Sequence, residues 1–169
     1  MTSSVAGRHH STAGAINSPQ PLRGDIPIVV GGSGERKTLR MVAQYADGCN
    51  LFGDCERARH LLGVLGRHCD DVGRDPAEIT KTSMMSIAIA ETEDGAHAKL
   101  DQMRAAGFPE QRIAGTTAGT PEQILERAHA FRDVGIEGLT FSMGDVHDLE
   151  AVALAGETLA PLFAADRVR

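Results

Sequence analysis

The chain has 169 residues and a mass of 17.9 kDa, with 41% hydrophobic and 24% charged residues, which suffices for one domain with an apolar core. Seventeen basic against 23 acidic residues give a net charge of −6; without a basic face, and with no Trp and one Tyr, a nucleic-acid surface or base-stacking platform is excluded. No apolar run approaches the roughly 20 residues that span a bilayer, and the first residues lack a basic-then-apolar secretion signal, so the expectation is a cytoplasmic protein that contacts neither membrane nor nucleic acid.

Met1 to Asp25 is rich in Ser, Gly, His and Pro without helical or strand period, and is expected to be an irregular arm preceding a single domain over 26–169. The first apolar run, Ile26 to Val30, is β-branched on both parities, as in a strand buried on both faces. It ends at Gly31-Gly32-Ser33-Gly34. The pattern predicts a helix from Glu35 to Tyr45 with Leu39, Val42 and Ala43 on one face, then a strand from Gly48 to Phe52 closed by Gly53-Asp54. Asp54 can cap a helix reaching Val72 with Ala58, Leu61, Leu62, Leu65 and Cys69 as its stripe, and Gly73 supplies the stop.

Asp75-Pro76-Ala77-Glu78 reads as a capped single turn before a third strand, Thr80 to Ala90. Thr92 is a cap for a helix over 93–106, ended by Gly107. A loop with Phe108-Pro109 and Gly115 to Gly119 follows. Thr120-Pro121-Glu122-Gln123 is a capping box, opening a helix with Ile124, Leu125, Ala128 and Phe131. A fourth strand at 138–142 and a last helix at 148–163 complete the chain. Strand–helix alternation implies parallel strands with right-handed crossovers, in an open sheet or a barrel. Four strands are few for either.

Chemistry is concentrated where the first strand runs through glycines into a helix. Glycines permit close approach of the backbone to a ligand, and the first helical N–H groups lack internal partners at the positive end of the dipole. A phosphate fits there, with the Ser33 and Thr38 hydroxyls as further donors; the same turn also suits a tight connection that binds nothing. The spacing matches neither dinucleotide nor P-loop fingerprints.

Taken with its surroundings this segment is more specific. Asn17-Ser18-Pro19-Gln20-Pro21-Leu22, Ile26-Pro27-Ile28-Val29-Val30-Gly31-Gly32-Ser33-Gly34-Glu35 and Tyr45-Ala46-Asp47-Gly48-Cys49-Asn50-Leu51-Phe52-Gly53 resemble the luciferase-like monooxygenases, especially the branch that uses the deazaflavin coenzyme F-420. His68-Cys69, Gly73-Arg74-Asp75-Pro76, Gly119-Thr120-Pro121-Glu122 and His147-Asp148-Leu149-Glu150 agree. The resemblance covers roughly residues 7 to 165. It implies the C-terminal half of a (β/α)8 TIM barrel, about four parallel strands each followed by a helix, with Gly7-Arg8-His9-His10 as the end of the excursion before the fifth strand. Met1 is then expected mid-domain, either in a natural remnant or in a protein whose start has been placed too late. By the same resemblance, Gly31, Gly32, Ser33, Gly34, Glu35 and Thr38 hold the phosphate-bearing tail of the cofactor, and Asn50, Phe52 and Gly53 flank it. The implied activity is hydride transfer between coenzyme F-420 and a small organic substrate; an FMN-dependent monooxygenase and a non-catalytic half-barrel are the alternatives. No catalytic residue and no metal site is assigned.

Other polar residues have plainer roles. His9-His10 lacks a further ligand and reads as solvated. His147 is a candidate acid or base after the fourth strand, although Asp145 or Asp148 there suits a helix cap better. Met84, Met85 and Met143 are expected in the core. Cys49 is expected to be a buried thiol, and three cysteines without CxxC spacing support neither disulfides nor zinc. Glu56, Arg57, Arg59 and His60 read as a solvated helix face. A half-barrel also exposes two strand edges, so pairing with a second copy, or with a chain supplying the absent half, is expected.

Overall fold

A computed structural model of the chain describes residues 2–16, 18–19, 21–22 and 25–164. Asn17 and Gln20 of the quoted motif lie outside the described residues. The N-terminal segment departs from the expected irregular arm. Strands β1 (Thr2–Ala6) and β2 (Ser11–Ile16) pair antiparallel, closed by a Gly7 N–H to His10 O bond of 2.8 Å. Every residue from Ser3 to Ile16 is exposed. Local turn closure and ladder bonds form this hairpin, which a hydrophobic-period criterion does not detect.

The domain follows as β3 (Val29–Gly31), α1 (Thr38–Tyr45), β4 (Gly48–Phe52), α2 (Cys55–Val72), a short 3₁₀ turn (Pro76–Glu78), β5 (Thr80–Ile89), α3 (Glu93–Ala105), α4 (Glu110–Ala114), β6 (Thr116–Gly119), α5 (Pro121–Asp133), β7 (Gly138–Met143) and α6 (Leu149–Ala164). The caps are where local chemistry places them. Asp54 accepts from Arg57 N–H, Asp75 from Ala77 N–H and Thr92 from Gly95 N–H. Gly73 closes α2 in the left-handed region, and the Arg74 guanidinium then bonds the last carbonyls of α1, 2.8 Å from Ala46 O.

Every pairing in this five-stranded sheet is parallel. Thr82 to Met84 pair with both β4 and β7, and Ser86 and Ile87 with both β6 and β7. Therefore β4 and β6 share one edge of β5, end to end, and the sheet path is β3-β4-β5-β7. Alternation sends Ser83, Met85, Ile87 and Ile89 toward the helices, where they are buried. There they join Cys49 and Leu51 of β4, Leu39 and Val42 of α1, Leu61 and Leu65 of α2, Ile124 and Phe131 of α5, and Leu159 of α6. Buried Ser83 donates to Leu51 O at 3.1 Å.

Three expectations are corrected. The run from Ile26 is not a strand buried on both faces: β3 is three residues long, and Ile28 and Val29 are 54% and 62% exposed, because among the described residues β3 pairs with β4 alone and forms an edge. The loop before Thr120 holds α4 and β6, raising the sheet to five strands. Met84 is not core: it lies on the open face while Met85 is buried, since neighbours on a strand point opposite ways. In addition, 35–37 form a turn rather than the first turn of α1.

Candidate functional site

All nine residues expected to hold a cofactor converge at the C-terminal ends of β3 and β4. Gly32 N–H donates to Asn50 O at 3.0 Å. The Ser33 hydroxyl donates to Phe52 O at 3.0 Å and accepts from Phe52 N–H at 2.9 Å. Its proton is thus committed to β4, so Ser33 ties the turn in place. A Cβ on Gly34 would stand 2.7 Å from Thr38 Oγ1, so only glycine lets the turn lie on Thr38. Gly53 has φ +128, and a Cβ there would meet Arg57 Cγ at 2.8 Å.

Helix α2 holds the turn from the other side. Arg57 bonds Glu35 Oε1 at 2.7 Å, and His60 Nε2 lies 3.2 Å from the same oxygen. His68 Nε2 is 2.8 Å from Glu35 O; a carbonyl only accepts, so Nε2 carries the proton. The Arg57 bond, followed by that to His60, holds the Glu35 carboxyl below its ordinary value. With that charge compensated, the turn presents main-chain donors. Among the described residues, no protein acceptor engages the N–H groups of Ser33, Gly34, Glu35 or Arg36. This arrangement suits an anion. Sequence reasoning missed the Arg57, His60 and His68 anchors. Their spacing of three and eight places them on one helical face, but which element that face meets is decided by packing.

The open face carries a polar row below the turn. Thr82 Oγ1 is 3.0 Å from Asn50 Oδ1, and Thr140 Oγ1 is 3.5 Å from the same atom. Asn50 and Thr140 are on strands separated by β5, so the two side chains reach toward one another across it. The Asn50 amide donors meet no acceptor among the described residues and remain for a ligand. Phe52 and Met84 flank the row, 41% and 38% exposed. Beside Gly53 a recess of about 460 Å³ lies where β4 ends and β6 begins, lined by Met84, Ser86, Thr116, Arg127 and Phe131.

Asp145 and Asp148 have structural partners. Asp148 caps α6, accepting from Glu150 N–H at 3.1 Å and Ala151 N–H at 3.2 Å; Asp145 pairs with Lys99; His147 is exposed. Cys49 and Cys69 are fully buried, and burial pushes both thiols up. No group of three metal-ligating side chains and no helix long and apolar enough to cross a membrane occurs among the described residues.

A parallel sheet with helices on one face and an anion-ready turn at its strand ends defines the class of (β/α)-barrel folds. The family model of luciferase-like monooxygenases matches residues 1–115, and the chain belongs to that family. It superposes on the coenzyme F-420-dependent tetrahydromethanopterin reductase from Methanopyrus kandleri with a TM-score of 0.75 and 15% identity, over 94% of this chain and 57% of that one. For the EDTA monooxygenase from Chelativorans sp. BNC1 the values are 0.74 and 16%, over 99% and 51%. An F-420-dependent secondary alcohol dehydrogenase in complex with an F-420–acetone adduct gives 0.73 and 14%, over 96% and 56%. The chain thus spans about half the length of these structures. No curated protein matches it.

Proposed function

We propose that the chain is the cofactor-tail half of an oxidoreductase that passes a hydride between the deazaflavin coenzyme F-420 and a small organic substrate. The observation that carries this reading is the turn from Gly31 to Arg36, with four main-chain amides unengaged among the described residues and the turn anchored by Ser33, Arg57 and His68. Pre-organised donors of this kind bind an anionic tail without ordering cost at the moment of binding. Two of the three compared structures are named for that coenzyme. The redox chemistry belongs to the cofactor, and the protein binds and orients it. In this chain, the turn holds the anionic end, Asn50 donates from the open face, and Phe52 and Met84 offer apolar contact. Asp145 and Asp148 are committed to Lys99 and the α6 cap, and no acid or base is assigned.

Fluorescence titration of the chain with coenzyme F-420, with FMN in parallel, tests the reading. The expected result is saturable binding of F-420, weakened about tenfold or more by Gly34→Val, a loss of roughly 1.4 kcal/mol or more, in a variant whose circular dichroism is unchanged. Tighter binding of FMN would transfer the site to a flavin monooxygenase. No binding of either, or equal binding by the variant, overturns the proposal.

A further inference from the structure

The sheet ends in two edges that are unpaired among the described residues, and each has an apolar patch beside it. At the β3 edge, Ile26, Ile28 and Val29 are more than half exposed, and α1 shows Met41 and Tyr45, 47% and 70% exposed and one turn apart. At the β7 edge, α6 buries Ala151, Ala155 and Leu159 in the core but carries a second row at helical spacing, Val152, Gly156, Ala160 and Phe163. That row and Phe141 of β7 line an open groove of about 880 Å³.

We propose that two copies of this chain close on one another about a two-fold axis running along the strands, β7 of each pairing with β3 of the other, to form an eight-stranded parallel barrel. Three features favour a second copy. The path β3-β4-β5-β7 supplies four strands, and eight is the number whose interior side chains fill a closed parallel barrel. A two-fold along the strands carries each free edge onto the other without reversing its direction, so both junctions are parallel and the interface is self-complementary. The helices also carry opposite charge: exposed Arg40 on α1, with Arg36 and Lys37 on the turn before it, and exposed Glu150 and Glu157 on α6. Pairing α1 with the partner's α6 brings helices of opposite charge side by side, whereas pairing α6 with its own copy would bring like charges together. In the closed ring the Gly31–Glu35 turn lies against the loop after the partner's β7, so each cofactor site is completed by both copies.

Sedimentation across a dilution series and disulfide trapping test the inference. The expected result is a species of twice the chain mass, whose dissociation constant rises about a hundredfold when exposed Phe141 and Val152 are both replaced by Asp. In a Cys55→Ser background, Met41→Cys combined with Val152→Cys is expected to cross-link two copies, and Val152→Cys alone to cross-link none. A folded monomer at every concentration, open-ended aggregates, or cross-linking by Val152→Cys alone overturns it. These readouts need no cofactor, so they fail or succeed independently of the F-420 reading.

Discussion

Ser33 shows how a residue singled out for one role is bound into another. Its hydroxyl donates to Phe52 O, so its contribution to a ligand is made through the shape of the turn. Ser33→Ala removes two hydrogen bonds at a half-exposed position, and a stability loss of about 1–2 kcal/mol is expected in urea unfolding. Glu35 contributes by charge. Its carboxyl titrates below its ordinary value of 4.5 in the folded chain because Arg57 and His60 stabilise the anion. A folded-state value lower than the unfolded one adds stability above the unfolded value, and that contribution is lost as pH falls through the folded one. The advantage of the native protein over Glu35→Gln is therefore expected to be full at neutral pH and to shrink as pH drops below 4.5. A constant difference between the two unfolding curves at all pH values would show that the clamp is inert.

At the scale of elements, β5 organises the sheet. It is ten residues long and bonds β4 and β6 on one edge and β7 on the other. Its alternation makes adjacent methionines inequivalent. Met85→Ala is expected to cost about 2–5 kcal/mol, as for a buried large side chain, whereas Met84→Ala, on the face open in a single copy, is expected to change stability by roughly 0.5 kcal/mol or less at dilutions where copies are apart. Equal losses under those conditions would mean that Met84 is covered within one copy. The helices were legible because their ends are chemically marked: Asp54 and Gly73 bound α2, Thr92 opens α3, and Thr120 N–H bonds Gln123 Oε1 at 3.0 Å in α5. By contrast β6 was not legible. Thr116-Thr117-Ala118-Gly119 has neither length nor apolar alternation, and it is a strand only because the upper half of β5 extends past the end of β4 and offers its ladder groups.

The described residues carry half a barrel's strands and leave unpaired among themselves the two edges that a barrel would join. Association of two copies links folding to assembly, so the melting temperature is expected to rise with protein concentration. It is also expected to fall with added salt, because α1 and α6 attract through exposed charge. A melting temperature that is independent of both would mean that the edges remain unpaired in the folded state.

The amino-acid sequence alone determined the parallel α/β class, the capped ends of α2, α3 and α5, the buried stripes of α1, α2 and α5, and the grouping of glycines after the first apolar run. Each of these follows from interactions within a few residues along the chain or from the period of one element. The tertiary structure decided which apolar run lies at an edge, which of two methionines is buried, where the Ser33 proton goes, and that Arg57, His60 and His68 grip the turn. These depend on which surface an element meets, and that is set by the packing of distant segments.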